Sequence, residues 1–345
     1  MKFVVDSAIP FIKGIFDPYA EVLYKEGPEI CREDVLDADA LIIRTRTRCD
    51  AQLLEGSAVK MIATATIGTD HVDYDYCHKA GIFVQNAAGC NAGGVMNYVF
   101  SALYGSAARR SINLGGLTFG IIGVGNVGSR VERMARYLGF NVLLCDPPRA
   151  EREGEAQFCS LDHLVRNSDI VTLHVPLNET TRGMAGREFF ENMKTGAFFI
   201  NAARGETVDE AALMDNVERL GPVIIDTWNH EPDINGRLLT LVDIATPHIA
   251  GYSYKGKQLG TSMAVKAVAR YFGIRELFDF YPVADIPELS SVKLDLRGKT
   301  QGEIAAIFQY NYPVFTDDFM FRMNPGGFEY LRTNYQYRKE FYIDL

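Results

Sequence analysis

Short apolar segments alternate along this chain with longer segments in which apolar residues recur at helical spacing. In the N-terminal part, the apolar segments predict strands at 2–6, 39–44, 60–64 and 82–84. Further along the chain, they predict strands near 118–122, 141–145, 170–173, 197–201, 223–226 and 243–245. Because strands that alternate with helices are typical of parallel sheets, the pattern predicts an α/β protein.

Two of the helical segments are long, at about 94–108 and 256–272. The first would lead from the N-terminal strands into the later group, and the second would return the chain to the N-terminal strands. We therefore expect a discontinuous domain, formed by 1–93 and 256–284, that carries an inserted domain at 94–255.

The C-terminal stretch is rich in Tyr and Phe and follows a proline-containing linker at 281–287. Residues 288–345 are too few to build a strong core of their own, so their aromatic side chains are expected to pack against another surface. That surface belongs either to a second copy or to the same chain. Since most soluble oligomers are symmetric homodimers, we expect 285–345 to be a dimerisation domain.

A glycine-rich turn follows one predicted strand and opens a helix. In this G-x-G-x-x-G, Gly123 allows a tight turn, Gly125 lets the backbone approach a pyrophosphate, and Gly128 lets the helix pack on the strand. Asp146 ends the next strand, where it can accept hydrogen bonds from ribose hydroxyls and repel a 2′-phosphate. The order of these elements predicts a Rossmann-type, doubly wound domain that binds NAD in preference to NADP.

Three later strands each deliver a charged or titratable side chain just beyond their ends, namely Arg204, Glu231 and His248. In open parallel sheets, ligands bind outside the carboxyl ends of the strands, so these groups are expected to meet at the nicotinamide. Imidazole titrates near neutral pH and suits a base for a hydroxyl proton. Arg204 would bind a carboxylate, and Glu231 would orient the imidazole. The three residues thus supply a base, a group that orients it and a cation for a carboxylate.

These residues resemble the D-2-hydroxyacid dehydrogenase family, whose arginine, glutamate and histidine they match. Further motifs are similar to the branch of that family that acts on 4-phosphoerythronate, and they lie at 5–10, 64–73, 89–92, 144–149 and 247–252. The resemblance implies NAD-dependent oxidation of a small phosphorylated 2-hydroxy acid, 4-phospho-D-erythronate, in pyridoxal 5′-phosphate biosynthesis. It also implies a flavodoxin-like substrate domain and a small C-terminal α+β domain that makes dimer contacts.

The resemblance also implies further site residues. Those expected to contact the cofactor, besides the glycines and Asp146, are Asn126, Val127, Val175, Asp226 and Gly251. Those expected to contact the substrate are Thr45, Thr66 and Tyr252.

A run of alternating arginines, Arg44, Arg46 and Arg48, follows the predicted strand at 39–44. If that strand continues, the three side chains share one face. Such a cluster in an acidic protein suits a phosphorylated substrate, and we expect Arg44 and Arg46 to bind it. A solvated edge remains an equal alternative for Arg46 and Arg48.

Composition narrows the classes of function. The 345 residues carry a formal net charge of −9, which disfavours binding to nucleic acid or to an anionic membrane. No apolar stretch is long enough for a membrane span, and the start of the chain has no signal-peptide pattern. The six cysteines include no C-x-x-C pair, so we expect reduced thiols in a cytoplasmic protein and no metal site.

Two alternatives remain open. The chain could be another member of the family, such as a 3-phosphoglycerate dehydrogenase or a glyoxylate/hydroxypyruvate dehydrogenase. It could also be a non-enzymatic NAD-sensing binding protein. The arginine, glutamate and histidine are compatible with each alternative, and turnover of NAD with a panel of 2-hydroxy acids would discriminate them.

Overall fold

The computed structural model describes residues 1–283 and 291–343. Its strands are β1 (Lys2–Asp6), β2 (Glu21–Lys25), β3 (Ala40–Ile43), β4 (Met61–Thr64), β5 (Phe83–Asn86), β6 (Thr118–Ile122), β7 (Asn141–Cys145), β8 (Ile170–Leu173), β9 (Phe198–Asn201), β10 (Val223–Ile225), β11 (Ile244–Ala245), β12 (Ser291–Lys293) and β13 (Glu340–Tyr342). Its α-helices are α1 (Arg32–Val35), α2 (Ala51–Leu54), α3 (Tyr74–Lys79), α4 (Ala92–Arg109), α5 (Gly128–Tyr137), α6 (Pro147–Glu153), α7 (Leu161–Asn167), α8 (Arg187–Asn192), α9 (Glu210–Asn216), α10 (Gly236–Leu241), α11 (Tyr254–Phe272), α12 (Gln301–Asn311), α13 (Val314–Met323) and α14 (Phe328–Thr333).

The described residues divide into two compact units, 1–91 with 254–283 and 92–253 with 291–343. The first is built on a parallel sheet in the order β2-β1-β3-β4-β5. This is the flavodoxin-like order, so that prediction is confirmed. Strands β3 and β4 are buried throughout because α11 covers one face of the sheet and α1–α3 cover the other.

The second unit contains a parallel sheet in the order β11-β10-β9-β8-β6-β7. The chain runs from β6 to β7 on one side and then crosses over, so β8 pairs with β6 on the other side. This reversal creates a switch point at the carboxyl ends of β6 and β8, where ligands bind in doubly wound sheets. The predicted Rossmann-type fold is confirmed.

The C-terminal residues 291–343 pack on the rest of the second unit. Their helices α12–α14 and the parallel pair β12–β13 bury four phenylalanine rings to 1% exposure or less, namely Phe308, Phe321, Phe328 and Phe341. The aromatic tail therefore packs at least in part on its own chain, which was the alternative to packing on a second copy. The dimerisation role of 285–345 and the three-domain division stay predictions.

The strands and long helices predicted from the apolar pattern are confirmed, with ends that differ by one or two residues. Strand β2 was missed because it is a short edge strand with charged ends and no fully buried residue. Part of the predicted linker, 284–287, lies outside the described residues, as does the end of the tail at 344–345. None of the described helices combines the length and the apolar character that a membrane span needs.

Candidate active site

The glycine turn between β6 and α5 is as tight as the motif predicts. Gly123 has a φ of +83°, and a Cβ added there would lie 2.8 Å from the carbonyl of His174. A Cβ at Gly128 would lie 2.0 Å from the Gly123 oxygen. Both positions therefore require glycine. Val175 lies on the other side of this turn, where its Cγ1 would be 2.9 Å from a Cβ at Gly123.

Asp146, the acid at the end of β7, is hydrogen-bonded to this turn. Its Oδ2 accepts a hydrogen bond from Val124 N at 2.7 Å, and its Oδ1 accepts one from Arg149 N at 3.0 Å. Beside it, Gly125 and Asn126 are exposed and Val127 is half-buried at the start of α5. A narrow turn, a helix N-terminus and a fixed acid fit a dinucleotide.

The predicted catalytic residues follow three adjacent parallel strands, β9, β10 and β11. Arg204 lies after β9, where its backbone oxygen accepts hydrogen bonds from Asn201 Nδ2 at 2.9 Å and Thr207 Oγ1 at 2.6 Å. Glu231 follows β10 and His248 follows β11. The topology therefore brings all three to one edge of the sheet.

Glu231 and His248, which we call the dyad, are in direct contact. His248 Nδ1 lies 2.8 Å from Glu231 Oε2, while Glu231 Oε1 accepts a hydrogen bond from Trp228 N at 2.9 Å. Glu231 and His248 have side-chain exposures of 19% and 29%. Because the carboxylate can only accept, Nδ1 carries a proton and donates it in this hydrogen bond. In the neutral ring, Nε2 therefore carries the lone pair that can take a proton.

His248 has a φ of +55°, in the left-handed region that non-glycine residues rarely adopt. The buried Asp226 holds this conformation, because its backbone oxygen accepts from His248 N at 2.7 Å. Its carboxylate accepts from Ile249 N at 2.8 Å and Ala250 N at 3.1 Å. Burial raises the pKa of Asp226. The observed role of Asp226 is to support the His248 loop, and its contact with the cofactor stays a prediction.

Tyr252 follows Gly251 beyond the His248 loop, and residues of the C-terminal segment surround it. Its ring makes edge contacts with Tyr335 and Tyr337, at centroid distances of 5.9 and 6.4 Å. Its backbone oxygen accepts from Arg338 N at 3.2 Å. The C-terminal segment therefore supports a residue predicted to bind substrate.

The arginine run lies in the first unit, and the strand before it ends too early for the predicted arrangement. Strand β3 ends at Ile43 and a turn follows at 45–46, so the condition under which Arg44, Arg46 and Arg48 would share one strand face is not met. The reason is Thr47, which is buried and donates a hydrogen bond from Oγ1 to the Gly27 oxygen at 3.0 Å. This inward side chain bends the backbone away from an extended course.

The arginines differ in how they are held. Arg44 Nε pairs with Asp6 Oδ2 at 3.1 Å, and Asp6 is fully buried. Arg48 pairs with Asp50 at 2.8 Å, with 84% of its side chain exposed. Arg44 is therefore anchored, and Arg48 belongs to the solvated surface.

The remaining substrate-binding candidates of this unit differ in exposure. Thr45 and Arg46 are exposed at the turn, whereas Thr66 is half-buried after β4. Thr66 Oγ1 lies 2.7 Å from Thr64 Oγ1. The substrate-binding roles of these residues stay predictions.

Sequence reasoning missed two charged residues, Asp6 and Arg332. Asp6 lies in the 5–10 motif, which offered a signal, and its carboxylate anchors Arg44. Arg332 lies in the C-terminal segment, where no motif pointed to it, and its Nη1 is 3.9 Å from Glu231 Oε2. In the part of the chain that the structure describes, no group of three or more His, Cys, Asp or Glu residues could hold a metal ion.

Comparisons with known proteins agree with this geometry. Residues 97–250 match the family model described as D-isomer specific 2-hydroxyacid dehydrogenase, NAD binding domain. The chain is 45% identical to the erythronate-4-phosphate dehydrogenase of Bacteroides fragilis, over 99% of this chain and 97% of that one. It is 41% identical to the enzyme of the same name from Klebsiella pneumoniae, over 99% and 92% of the two chains.

Among solved structures, the NAD-bound 3-phosphoglycerate dehydrogenase of Entamoeba histolytica is similar, with a TM-score of 0.68 and 27% sequence identity. The match covers 79% of this chain and 95% of that one. The fold, the dinucleotide turn and the full-length relatives lead to one conclusion. The chain belongs to the D-isomer specific 2-hydroxyacid dehydrogenase family, and its residues 97–250 match the NAD-binding domain of that family.

Proposed function

We propose that the protein oxidises 4-phospho-D-erythronate to 2-oxo-3-hydroxy-4-phosphobutanoate with NAD, as a step of pyridoxal 5′-phosphate biosynthesis. The observation that carries the proposal is the 2.8 Å contact of the dyad, on the same sheet as a dinucleotide turn. The names of relatives that are 41–45% identical over nearly the whole chain support the phosphorylated substrate. All six cysteines are thiols, which supports a reducing compartment, and we infer that the reaction occurs in the cytoplasm.

Each residue of the site has its own role in the proposed reaction. Bound NAD supplies the acceptor for the hydride that leaves C2 of the substrate. His248 takes the hydroxyl proton on Nε2, while Glu231 fixes the ring through Nδ1 and stabilises the imidazolium that forms. Arg204 binds the substrate carboxylate with its planar guanidinium and polarises the reacting oxygen.

The other predicted residues complete the proposal. The residues proposed to hold the cofactor are Gly123, Gly125, Asn126, Val127, Gly128, Asp146, Val175, Asp226 and Gly251. Those proposed to hold the substrate, besides Arg204, are Arg44, Thr45, Arg46, Thr66 and Tyr252.

A turnover assay tests this function. Purified protein is mixed with NAD and, separately, with 4-phosphoerythronate, erythronate and 3-phosphoglycerate, and NADH absorbance is followed; glyoxylate is assayed with NADH in the reverse direction. We expect the highest kcat/KM with 4-phosphoerythronate, loss of activity in His248→Asn, and full activity in the control His78→Asn, whose side chain is exposed on α3. A preference for 3-phosphoglycerate or glyoxylate would assign another dehydrogenase, and NAD binding without turnover would favour a sensor.

We also infer that the protein is a homodimer that associates through its C-terminal segment. Helices α12–α14 expose large apolar side chains, with Tyr310 at 88%, Phe319 at 61%, Met323 at 70% and Tyr330 at 66%. Several large apolar side chains exposed on one segment are typical of an interaction surface, and a homodimer is the most frequent assembly.

Surface substitutions test the dimer better than truncation, because truncation would remove the buried rings of α12–α14 from their own unit. Phe319 and Met323 lie four residues apart on α13 and hence on one face. The double change Phe319→Ser, Met323→Ser should halve the mass measured by light scattering. The control Tyr74→Ser, at an exposed residue of the first unit, should leave it unchanged. An unchanged mass in the double variant would exclude this face.

A further inference from the structure

Helix α14 brings an arginine of the C-terminal segment to the dyad. Arg332 Nη1 lies 3.9 Å from Glu231 Oε2, the oxygen that also lies 2.8 Å from His248 Nδ1. The two ion-pair partners are largely buried, with side-chain exposures of 17% for Arg332 and 19% for Glu231. At 3.9 Å the contact is an ion pair rather than a hydrogen bond. One carboxylate oxygen thus faces both a guanidinium and the imidazole.

Packed aromatic rings fix α14 against the loop that carries Glu231. Ring centroids of Trp228 and Phe321 are 6.0 Å apart, and those of Phe321 and Phe328 are 5.6 Å apart. All three rings are exposed by 1% or less. Arg332 lies over the Phe328 ring at 5.7 Å. The backbone N–H of Trp228 also donates to Glu231. The packed rings therefore hold both the Arg332 guanidinium and the Glu231 carboxylate in place.

Stability alone does not account for this arginine. Its Nε is buried and has no hydrogen-bond partner among the residues that the structure describes. Its second carboxylate neighbour, Glu329 Oε1, lies 3.7 Å from Nη1, again beyond hydrogen-bond distance. Burying a guanidinium N–H without an acceptor is unfavourable, so Arg332 carries a cost in stability at the place where it meets the dyad.

The charges around the dyad come from several elements. Asp226 lies under the His248 loop, and Glu210 of α9 accepts a hydrogen bond from Asn229 N at 3.0 Å. Burial raises the pKa of Glu231, but the attraction and hydrogen bond of the imidazole, the Trp228 N–H and the charge of Arg332 together hold it below its ordinary value. Arg332 is thus a cation 3.9 Å from the Glu231 carboxylate, in surroundings that also contain Asp226 and Glu210.

We propose that Arg332 is a positioning residue for the dyad, because its positive charge beside Glu231 Oε2 weakens the attraction of that carboxylate for the imidazolium. This inference rests on the proposed oxidation, in which a neutral imidazole accepts the substrate's hydroxyl proton. A carboxylate without Arg332 would favour the protonated imidazole more strongly. Arg332 therefore extends oxidation to lower pH and disfavours the reverse reduction, which needs the imidazolium.

The test compares three arginine variants by their pH profiles. Arg332→Met removes the charge and keeps much of the apolar length, Arg332→Lys keeps the charge, and Arg332→Gln replaces Arg332→Met if that variant does not fold. The control Arg322→Met removes another C-terminal arginine, which pairs with Asp318 at 2.8 Å. The midpoint of kcat/KM for oxidation should rise by roughly 0.5–1 pH unit in Arg332→Met. It should return towards the wild-type value in Arg332→Lys and remain unchanged in Arg322→Met.

A second measurement does not depend on turnover. The chain has six histidines, so the His248 C2 proton can be assigned in NMR spectra by comparison with His248→Asn and titrated without substrate. We expect the same upward displacement of the dyad's midpoint in Arg332→Met. An unchanged midpoint in both measurements, or an equal displacement in Arg332→Lys, would overturn the inference. If wild-type protein oxidises no substrate, the proposed function fails, whereas the NMR titration still decides the role of Arg332.

Discussion

Two charged regions of the molecule are built in opposite ways. In the loops after β10 and β11, His248 pairs with Glu231, Glu231 accepts from Trp228, and buried Asp226 holds the His248 backbone. In the turn after β3, Asp6 anchors Arg44 and the Gly27 carbonyl holds Thr47, whereas Thr45, Arg46 and Arg48 are exposed. Proton transfer demands fixed geometry, whereas attraction of a phosphate tolerates a looser arrangement. The contrast therefore agrees with the proposed roles, which are catalysis for the loops after β10 and β11 and phosphate recognition for the turn after β3.

The energetics follow the same division. A left-handed non-glycine backbone such as that of His248 costs on the order of 1–3 kcal/mol. Hydrogen bonds to the buried Asp226 offset this cost and leave the imidazole in one orientation. No comparable strain is present at the Arg44–Arg48 turn among the described residues. We call the strand ends and loops that carry Arg204, Glu231 and His248 the rigid region. We therefore expect substitutions in the rigid region to reduce kcat, and those in the turn after β3 to raise KM.

The largest effect is expected for Arg204→Ala. Loss of a positioned cation at the reacting carboxylate should lower kcat/KM by about 10³-fold, while NAD affinity stays nearly unchanged. Steady-state kinetics and NAD titration by fluorescence measure the two quantities. Arg187→Ala serves as control, because Arg187 is exposed on α8 and pairs with Asp215 at 3.0 Å. Turnover close to wild type in Arg204→Ala would remove this residue from the catalytic region.

The turn after β3 should show the opposite kinetic pattern. Arg44→Ala should raise KM for 4-phosphoerythronate by about 10-fold or more and leave kcat almost unchanged, because a charge-assisted phosphate contact is lost before chemistry begins. The matched control is Arg48→Ala, which removes an exposed arginine of the same turn. Activity on unphosphorylated erythronate should not change in either variant. Equal losses on both substrates would show that Arg44 does not recognise the phosphate.

The sequence could predict the rigid region far better than the turn. Apolar strands with polar residues at their ends specify the sheet, and the order of parallel strands then brings Arg204, Glu231 and His248 to one edge. Such local patterns carry no information on Arg332, which reaches Glu231 through packing of the C-terminal segment. They also could not decide whether β3 continues through the arginines, because the inward orientation of Thr47 depends on a distant partner, the Gly27 carbonyl.

Asp146 is a third charged position, and it resembles the rigid region because two hydrogen bonds hold its carboxylate. Asp146→Ala should weaken NAD binding by about 10-fold, because the Val124 and Arg149 N–H groups lose their acceptor and the ribose loses a partner. It should also narrow the preference for NAD over NADP, since the charge that repels a 2′-phosphate is gone. Kinetics with both cofactors measure this preference, with Asp162→Ala, an exposed acid of α7, as control. A fully retained preference would exclude Asp146 from the ribose site.

The smallest effect, and the sharpest test of the dyad, is a displacement of the pH profile in Glu231→Gln. The carboxylate 2.8 Å from Nδ1 favours the imidazolium, whereas the proposed oxidation needs the neutral imidazole as base. Glutamine keeps the shape and loses the charge, so the neutral imidazole should persist to lower pH. The midpoint of kcat/KM should therefore fall by roughly 0.5–1 pH unit, opposite in sign to Arg332→Met.

Because a general loss of structure would reduce activity without giving opposite signs, the two variants together distinguish electrostatic tuning from damage. Each is measured in the same buffers against wild type, with thermal unfolding followed in parallel. A midpoint that does not move in Glu231→Gln would mean that the titrating group is not coupled to this carboxylate. The rigid region would then owe its order to the buried Asp226, and the 2.8 Å contact would orient the imidazole without tuning its proton.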